Sequence, residues 1–295
     1  MAGILAHLSA RLDLGFRPWV PTVQPPCTET RPADQMLNGI GWPAIAASLS
    51  LVLVAIVVAW ALGLRVGRDI ATASVRAAVQ LMAVGLVFAP LFSSSFALAG
   101  AWLWVGFMTV VAMVVIIRRT SGIGDLRMVA APVGVAVIGS TALSIAVVFG
   151  FGVIDFEPVA LVVIAGITIG NAVPITVLGA NQAMSVARTG VGQLEAMLSL
   201  GFERWDAVRF LAPTAARAAL IPQIERTRVV GLIALPGAMT GLLLGGVDPI
   251  DAVVIQLLVM YLVLGSAAVC VVTIVTAVLR AAVTTDLRPA DWVKD

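Results

Sequence analysis

The chain alternates long apolar runs with short polar connections. A helix needs about 20 mostly apolar residues to cross the hydrocarbon core of a bilayer. Runs of that order occur at 43–64, 72–91, 97–117, 129–150, 158–180, 229–247 and 252–279. Apolar residues are continuous within them, whereas the strands of a membrane barrel would alternate apolar and polar positions. A helix also satisfies every backbone amide within its own segment, which hydrocarbon demands. The pattern predicts an all-α polytopic membrane protein of about seven transmembrane helices.

The connections fix a direction. Those near 65–71, 118–128 and 188–228 hold Arg65, Arg68, Arg118, Arg119, Arg127, Arg188, Arg204, Arg209, Arg217, Arg226 and Arg228, and the C-terminal tail adds Arg280, Arg288 and Lys294. Arg76 lies near a predicted helix end on the same side, where it can snorkel. The connections at 92–96, 151–157 and 248–251 contain no Lys or Arg and carry Asp155, Glu157, Asp248 and Asp251. Cytoplasmic loops concentrate Lys and Arg, so the N-terminus is expected outside and the C-terminus in the cytoplasm.

Composition agrees with residence in a membrane. Hydrophobic residues make up 60% of the chain and charged residues 12%, about half the charged share of a soluble domain. Mean hydropathy is +1.06. The net charge of +2 resides in loops between apolar runs, so it argues for a membrane surface and against nucleic acid. Cys27 and Cys270 form no disulfide framework or CxxC pair. His7 is the only histidine, which removes His-based metal clusters and Ser/His/Asp sets from the membrane region and argues against an enzyme. Residues 1–42, broken by Pro18, Pro21, Pro25, Pro26 and Pro32, read as a flexible extracytoplasmic tail or as a misassigned start ahead of Met36. They are too interrupted for a signal peptide. The membrane domain is expected at 43–280 and a cytoplasmic tail at 281–295.

The longest polar connection, 188–228, is the first candidate for chemistry. Phe202, Trp205 and Val208 recur every three residues, with Glu203, Arg204, Asp206 and Arg209 between them. That spacing describes an amphipathic helix, either docking on a partner or resting on the membrane surface. Glu195 and Ala196 followed by Gly201 look like the Glu-Ala-Ala…Gly motif of ABC importer permeases, although Met197 replaces the second Ala and the later Leu-Pro is out of register. Glu195, Ala196, Gly201, Phe202, Trp205 and Arg209 are therefore the candidate contacts to an ATPase. Polar residues within the runs are costly and often functional. Gln80, Asn171, Asn181, Gln182 and Gln256 are such residues; Asn171 is the deepest and follows Gly170. Gln80, Asn171, Gly170 and Gln182 are the candidate pathway residues, with an interhelical hydrogen bond as the structural alternative for Asn171. Gly166 and Gly170, then Gly237, Gly241 and Gly245, are spaced by four, as in close helix packing. Pro174 and Pro236 are expected to kink their helices. No Asp, Glu, Lys or Arg stands in the middle of a predicted span, and Glu225 is expected to pair locally among Arg217, Arg226 and Arg228. No phosphate-binding G-x-x-x-x-G-K-[ST] loop is present.

Three blocks resemble the FetB family of ABC transporter permeases. They are Arg76-Ala77-Ala78-Val79-Gln80-Leu81 with Gly85, Ile164 to Asn171, and the set Arg217-Ala218-Ala219-Leu220-Ile221-Pro222, Val230-Gly231-Leu232, Leu235 to Gly241 and Asp248-Pro249. Ser199-Leu200-Gly201 matches the segment before the last set. The resemblance covers about residues 43–280. It implies a permease subunit in the inner membrane, present as a homodimer. A separate FetA-like ATPase would bind ATP and Mg, and this chain would bind no cofactor. Bacterial members are described as iron exporters in metal homeostasis. Related plant permeases are linked to aluminium tolerance, with a nucleotide sugar proposed as substrate. The rival from another class is an ion-driven secondary transporter that needs no ATPase, which the lack of mid-span carboxylates disfavours. A membrane scaffold without transport is a third reading.

Overall fold

A computed structural model describes residues 42–64, 66–93, 96–120, 126–284 and 286–294. The proline-rich stretch before residue 42, with His7 and Cys27, lies outside the described residues, as does Arg65. The chain divides into two units, Met1–Leu51 and Val52–Asp295. Among the described residues there are ten helices: α1 (Trp42–Ala61), α2 (Gly67–Ser93), α3 (Ala97–Arg119), α4 (Leu126–Gly150), α5 (Pro158–Thr189), α6 (Val191–Ser199), α7 (Arg204–Val229), α8 (Gly237–Leu244), α9 (Pro249–Ala281) and α10 (Asp291–Lys294). The protein is all-α, as its apolar runs predict. Helices α2, α3, α4, α5 and α9 are each long and apolar enough to cross a membrane. The first of the predicted runs is α1, apolar and almost wholly exposed along its described side chains.

Two expectations are corrected. The run at 229–247 is not one helix. Helix α7 ends at Val229, the chain unwinds, and α8 has only 8 residues, about 12 Å of rise. Gly231 adopts φ +88, a left-handed conformation that stops a helix. Pro236, at the N-cap of α8, holds Leu235 out of helical space and has no N–H to donate. What was expected as a kink is a break. Second, 188–228 is not mainly a loop. It contains α6 and the 26-residue α7, about 39 Å long, which passes through Pro213 and Pro222 and packs along α5 and α9. Its arginines hide it from a hydropathy reading.

Helix α5 is the hub. It packs against α3, α4, α7 and α9, and its contact with α9 is the most extensive in the fold. The reason lies in residue size. In lipid, apolar surface gains little by leaving its solvent, so helices associate through close contact of small residues. On α5, Ala165, Ala172 and Gly179 recur every seven residues along one buried face, with Ala180, Ala183 and Ala187 continuing it. On α7, Ala207, Leu211, Ala215 and Ala219 recur every four and are all buried. The tightest approach falls at Gly179, where a Cβ would stand 2.9 Å from Ile274 Cγ2 on α9 and 3.7 Å from a methyl of both Val271 and Val275.

The glycines singled out by four-residue spacing behave differently. A Cβ on Gly166 would meet Met108 at 3.5 Å, an ordinary contact, and Gly170, Gly237 and Gly241 have open space around them within this chain. The Ile274 methyl is carried directly on Cβ and cannot swing aside. Gly179→Ala should therefore destabilise the bundle by about 1–3 kcal/mol, the usual cost of overpacking. Unfolding of the purified protein in detergent measures it. Adding Ile274→Ala should recover part of the loss, giving a favourable coupling in the double-mutant cycle.

Candidate functional site

The basic end of the bundle carries an elbow between α5 and α7. Helix α5 runs nine residues past the predicted end of its span before Gly190 closes it and opens α6. Leu194 is buried and seats α6 on the bundle, where Leu211 of α7 and Ala187 of α5 belong to the same cluster. Its other face, with Gln193, Glu195, Ala196 and Ser199, is exposed. The turn after α6 is a Schellman motif: Phe202 N–H donates to Met197 O and Gly201 N–H to Leu198 O, both at 3.1 Å. Gly201 takes φ +86 to make that turn. Glu203 then caps α7 in a reciprocal box, its own N–H donating to Asp206 Oδ2 at 3.0 Å.

The elbow is tied down from the C-terminal side. Residues 283, 284 and 286–294 fold back on the end of α9 as a hook. Ala290 N–H donates to Ala282 O and Thr284 N–H to Arg288 O, each at 2.8 Å. The hook buries Val293, Arg188 Nε on α5 donates to Trp292 O at 3.1 Å, and Lys294 Nζ lies 3.8 Å from Glu195 on α6. The last contact is solvent-exposed, so it orients more than it stabilises.

The expected stripe of Phe202, Trp205 and Val208 does not form one face. Val208 is buried in the bundle core, whereas Phe202 and Trp205 are exposed. The reason is that Phe202 precedes α7 and Trp205 lies in its first turn, ahead of the buried Ala207 and Val208. The guanidinium of Arg209 lies 5.8 Å from the Trp205 ring centroid, within cation–π range. Leu200, beside Gly201, is 78% exposed. The elbow thus presents α6, Leu200, Phe202 and Trp205 together. Sequence spacing expected a short helix over 202–209; residues 204–209 are the start of the long α7, and the short helix of the region is α6.

The candidate pathway residues are spread out. Asn171 is half-buried on α5 and its Nδ2 donates to Ile167 O at 2.8 Å, one bond within its own helix. Gly170 beside it is exposed. Gln182 stands eleven residues further along, about 16 Å. Gln80 lies on α2, which packs chiefly on α3, and with Arg76 it borders a shallow hollow of about 530 Å³ on that helix's own surface. A polar seam of Ser140, Thr176 and Cys270 among α4, α5 and α9 escaped the sequence reading, which had named Gln256 but not this cluster. Cys270 Sγ lies 3.4 Å from Ser140 Oγ and 3.5 Å from Ala136 O, and the buried Thr176 hydroxyl and Gln256 Oε1 make no hydrogen bond among the described residues. Among the described residues no group of three His, Cys, Asp or Glu stands ready for a metal ion.

The break between α7 and α8 is the remaining unusual feature. Glu225 and Arg228 pair at 2.6 Å as expected. Arg217 and Arg226, also exposed on α7, form no ion pair among the described residues. Leu232 and Ile233 project from the turn, 93% and 83% exposed.

Residues 42–283 match the uncharacterised protein family UPF0014. The chain belongs to that family. Relatives of UPF0014 include the "Probable iron export permease protein FetB" of Escherichia coli (strain K12), 32% identical over 76% of this chain and 85% of that protein. The "UPF0014 membrane protein STAR2" of Oryza sativa subsp. japonica is 30% identical over 80% of each chain. The "Protein ALUMINUM SENSITIVE 3" of Arabidopsis thaliana is 28% identical over 81% of this chain and 89% of that protein. No solved structure matches the chain. Together with its apolar helices, membership of UPF0014 makes this a multi-pass membrane protein.

Gly192 and Gly201, two of the elbow's three glycines, should respond oppositely to alanine. Gly201→Ala forces a Cβ into left-handed backbone and should cost about 1–2 kcal/mol. Gly192 lies inside α6 with open space around it, so Gly192→Ala should stabilise by roughly 0.5–1 kcal/mol. Thermal unfolding in detergent, run on both variants, reads the difference.

Proposed function

We propose that this chain is the membrane-spanning permease subunit of an ABC transporter, driven by a separate ATPase that binds ATP and Mg. The carrying observation is the elbow: a nine-residue helix seated by one buried leucine, with its polar face uncovered, at the basic end of a UPF0014 bundle. Closure of a nucleotide-driven partner requires a stiff element to push on. Helix α6 supplies it, because α5 and α7 enter and leave it through Gly190 and Gly201 with only short turns. A push on α6 is delivered directly to the two helices that pack against α9. Glu195, Ala196, Gly201, Phe202, Trp205 and Arg209 are the docking residues in this reading.

The orientation follows the loop charges, with the elbow and hook in the cytoplasm and the Asp155, Glu157, Asp248 and Asp251 end outside. Helices α7 and α8 together count as one discontinuous span. With α1 this retains seven crossings and places the two termini on opposite sides. Two copies would enclose the pathway, with Asn171 on its wall. The relative in Escherichia coli is named for iron export, and assignment of this chain as an exporter rests on that name.

ATPase stimulation tests the docking surface. Replacing Glu195 by Arg and Ala196 by Trp should lower stimulation of the partner ATPase at least tenfold. Trp205→Ala should lower it less, and unfolding temperatures should stay near the parent's. Full stimulation by all of these variants would remove α6 as the docking element. Transport at full rate by the purified chain in liposomes without an ATPase would instead establish an ion-driven carrier.

A further inference from the structure

The break at 230–236 has a depth, and two measures along the fold agree on it. From the acidic end, α8 contacts α9 and its 8 residues span about 12 Å before the chain unwinds. From the basic end, Leu211 of α7 lies level with Gly190, since a Cβ there would stand 3.4 Å from Leu211 Cδ2. Val229 is eighteen residues further on, about 27 Å towards the acidic end. Helix α5 is about 48 Å long over its 32 residues, so the end of α7 lies about 20 Å below the start of α5. A bilayer core is about 30 Å thick. The unwound segment therefore lies near its middle, at the depth of Asn171.

Hydrocarbon cannot accept what stands there. In this segment Gly231 N–H donates to Ala234 O, and Ile233 and Ala234 N–H donate to Val229 O. The carbonyls of Val230, Gly231, Leu232 and Ile233 receive no hydrogen bond among the described residues. Helix α7 also buries nothing beyond Ala219, leaving Arg226 and the Glu225–Arg228 pair uncovered just below the break. Irregular backbone at membrane depth is tolerated only where it is buried in protein or lines water, and an unpaired arginine there follows the same rule.

We propose that the unwound segment and the arginine-bearing end of α7 form a wetted wall of the transport pathway at mid-bilayer. Water supplies the missing donors to the free carbonyls and solvates Arg226. Leu232 and Ile233, at the tip of the turn, form its narrow apolar lip, the kind of constriction that closes a pore by dewetting. This deepens the permease reading and rests on it for the word transport; the wetting itself does not.

Cysteine labelling tests it. In the full-length chain with Cys27→Ser, Leu232→Cys and Ile233→Cys are introduced singly. A charged, membrane-impermeant methanethiosulfonate is applied to both sides of membrane vesicles. Leu103→Cys, exposed about a third of the way along α3, provides the lipid-facing control, and the parent reports any reaction of the buried Cys270. Thiols react with this reagent as thiolates, which form in water and not in hydrocarbon. Position 232 or 233 should label at least tenfold faster than position 103. Labelling of both at the control rate, in vesicles with and without the ATPase, would overturn the proposal and leave a lipid-facing or dry, protein-covered turn. Fast labelling together with no stimulation of any ATPase would keep the wetted wall and discard the permease reading. Slow labelling in a chain that does stimulate an ATPase would do the reverse.

Discussion

Close approach of α5 to α9 is the contact from which the bundle is built. Between helices in lipid, apolar surface is no better off against protein than against acyl chains, so contact must come from fit. Gly179 lets the Ile274 methyl settle against the α5 backbone, and the alanines above and below hold that spacing along the seam. Once α5 and α9 are fixed, α3 and α4 pack on one side and α7 on another. The polar seam of Ser140, Cys270 and Thr176 lies within the same three-helix core. There a hydroxyl or thiol has no water to turn to, so it favours one register of α4, α5 and α9 over its neighbours.

The elbow depends on that core. A transmitting element is useful only if it is stiffer than what it moves. Helix α6 is short, but both of its ends are closed by defined turns, and the C-terminal hook braces α5 where it leaves the bundle. The long extension of α5 carries the packing face down to Ala187, so the extension is part of the core rather than a free stalk. In the proposed permease, motion imposed on α6 would pass to α5 and α7 through the short turns at Gly190 and Gly201, which is how a small shift at one end of a packed bundle becomes a rearrangement at the other.

Most of the membrane architecture could be read from the sequence, because hydropathy reports what faces lipid. The runs at 97–117, 129–150 and 252–279 fall within two or three residues of α3, α4 and α9. Helix α7 could not be read this way. Ala207, Ala215 and Ala219 are weakly hydrophobic, and arginines fill the remaining face, so a helix packed in the bundle looks like loop. The signal was present as small residues every four positions, yet glycines drew attention to 237–245, where space is open in this chain. The elbow was located by Gly201 and the charged stretch around it. The stripe at 202–208 does not form one face because it is divided between a turn and the start of a core helix, and α6 itself carries no aromatic residue to mark it.

The family blocks 217–222, 230–232 and 235–241 acquire a physical meaning from the same geometry. They flank and contain the break in α7–α8. A continuous helix through residues 229–247 would have served the bilayer better, since each free carbonyl in hydrocarbon is costly. Gly231 and Pro236 act against that continuity, one by stopping α7 and the other by preventing α7 from resuming before α8. A sequence that spends two special residues on unwinding a span at mid-depth, directly above an unpaired arginine, is not optimised for lipid. It fits the wetted wall proposed above, because an interrupted helix offers there what an intact one lacks: free carbonyls that water can reach.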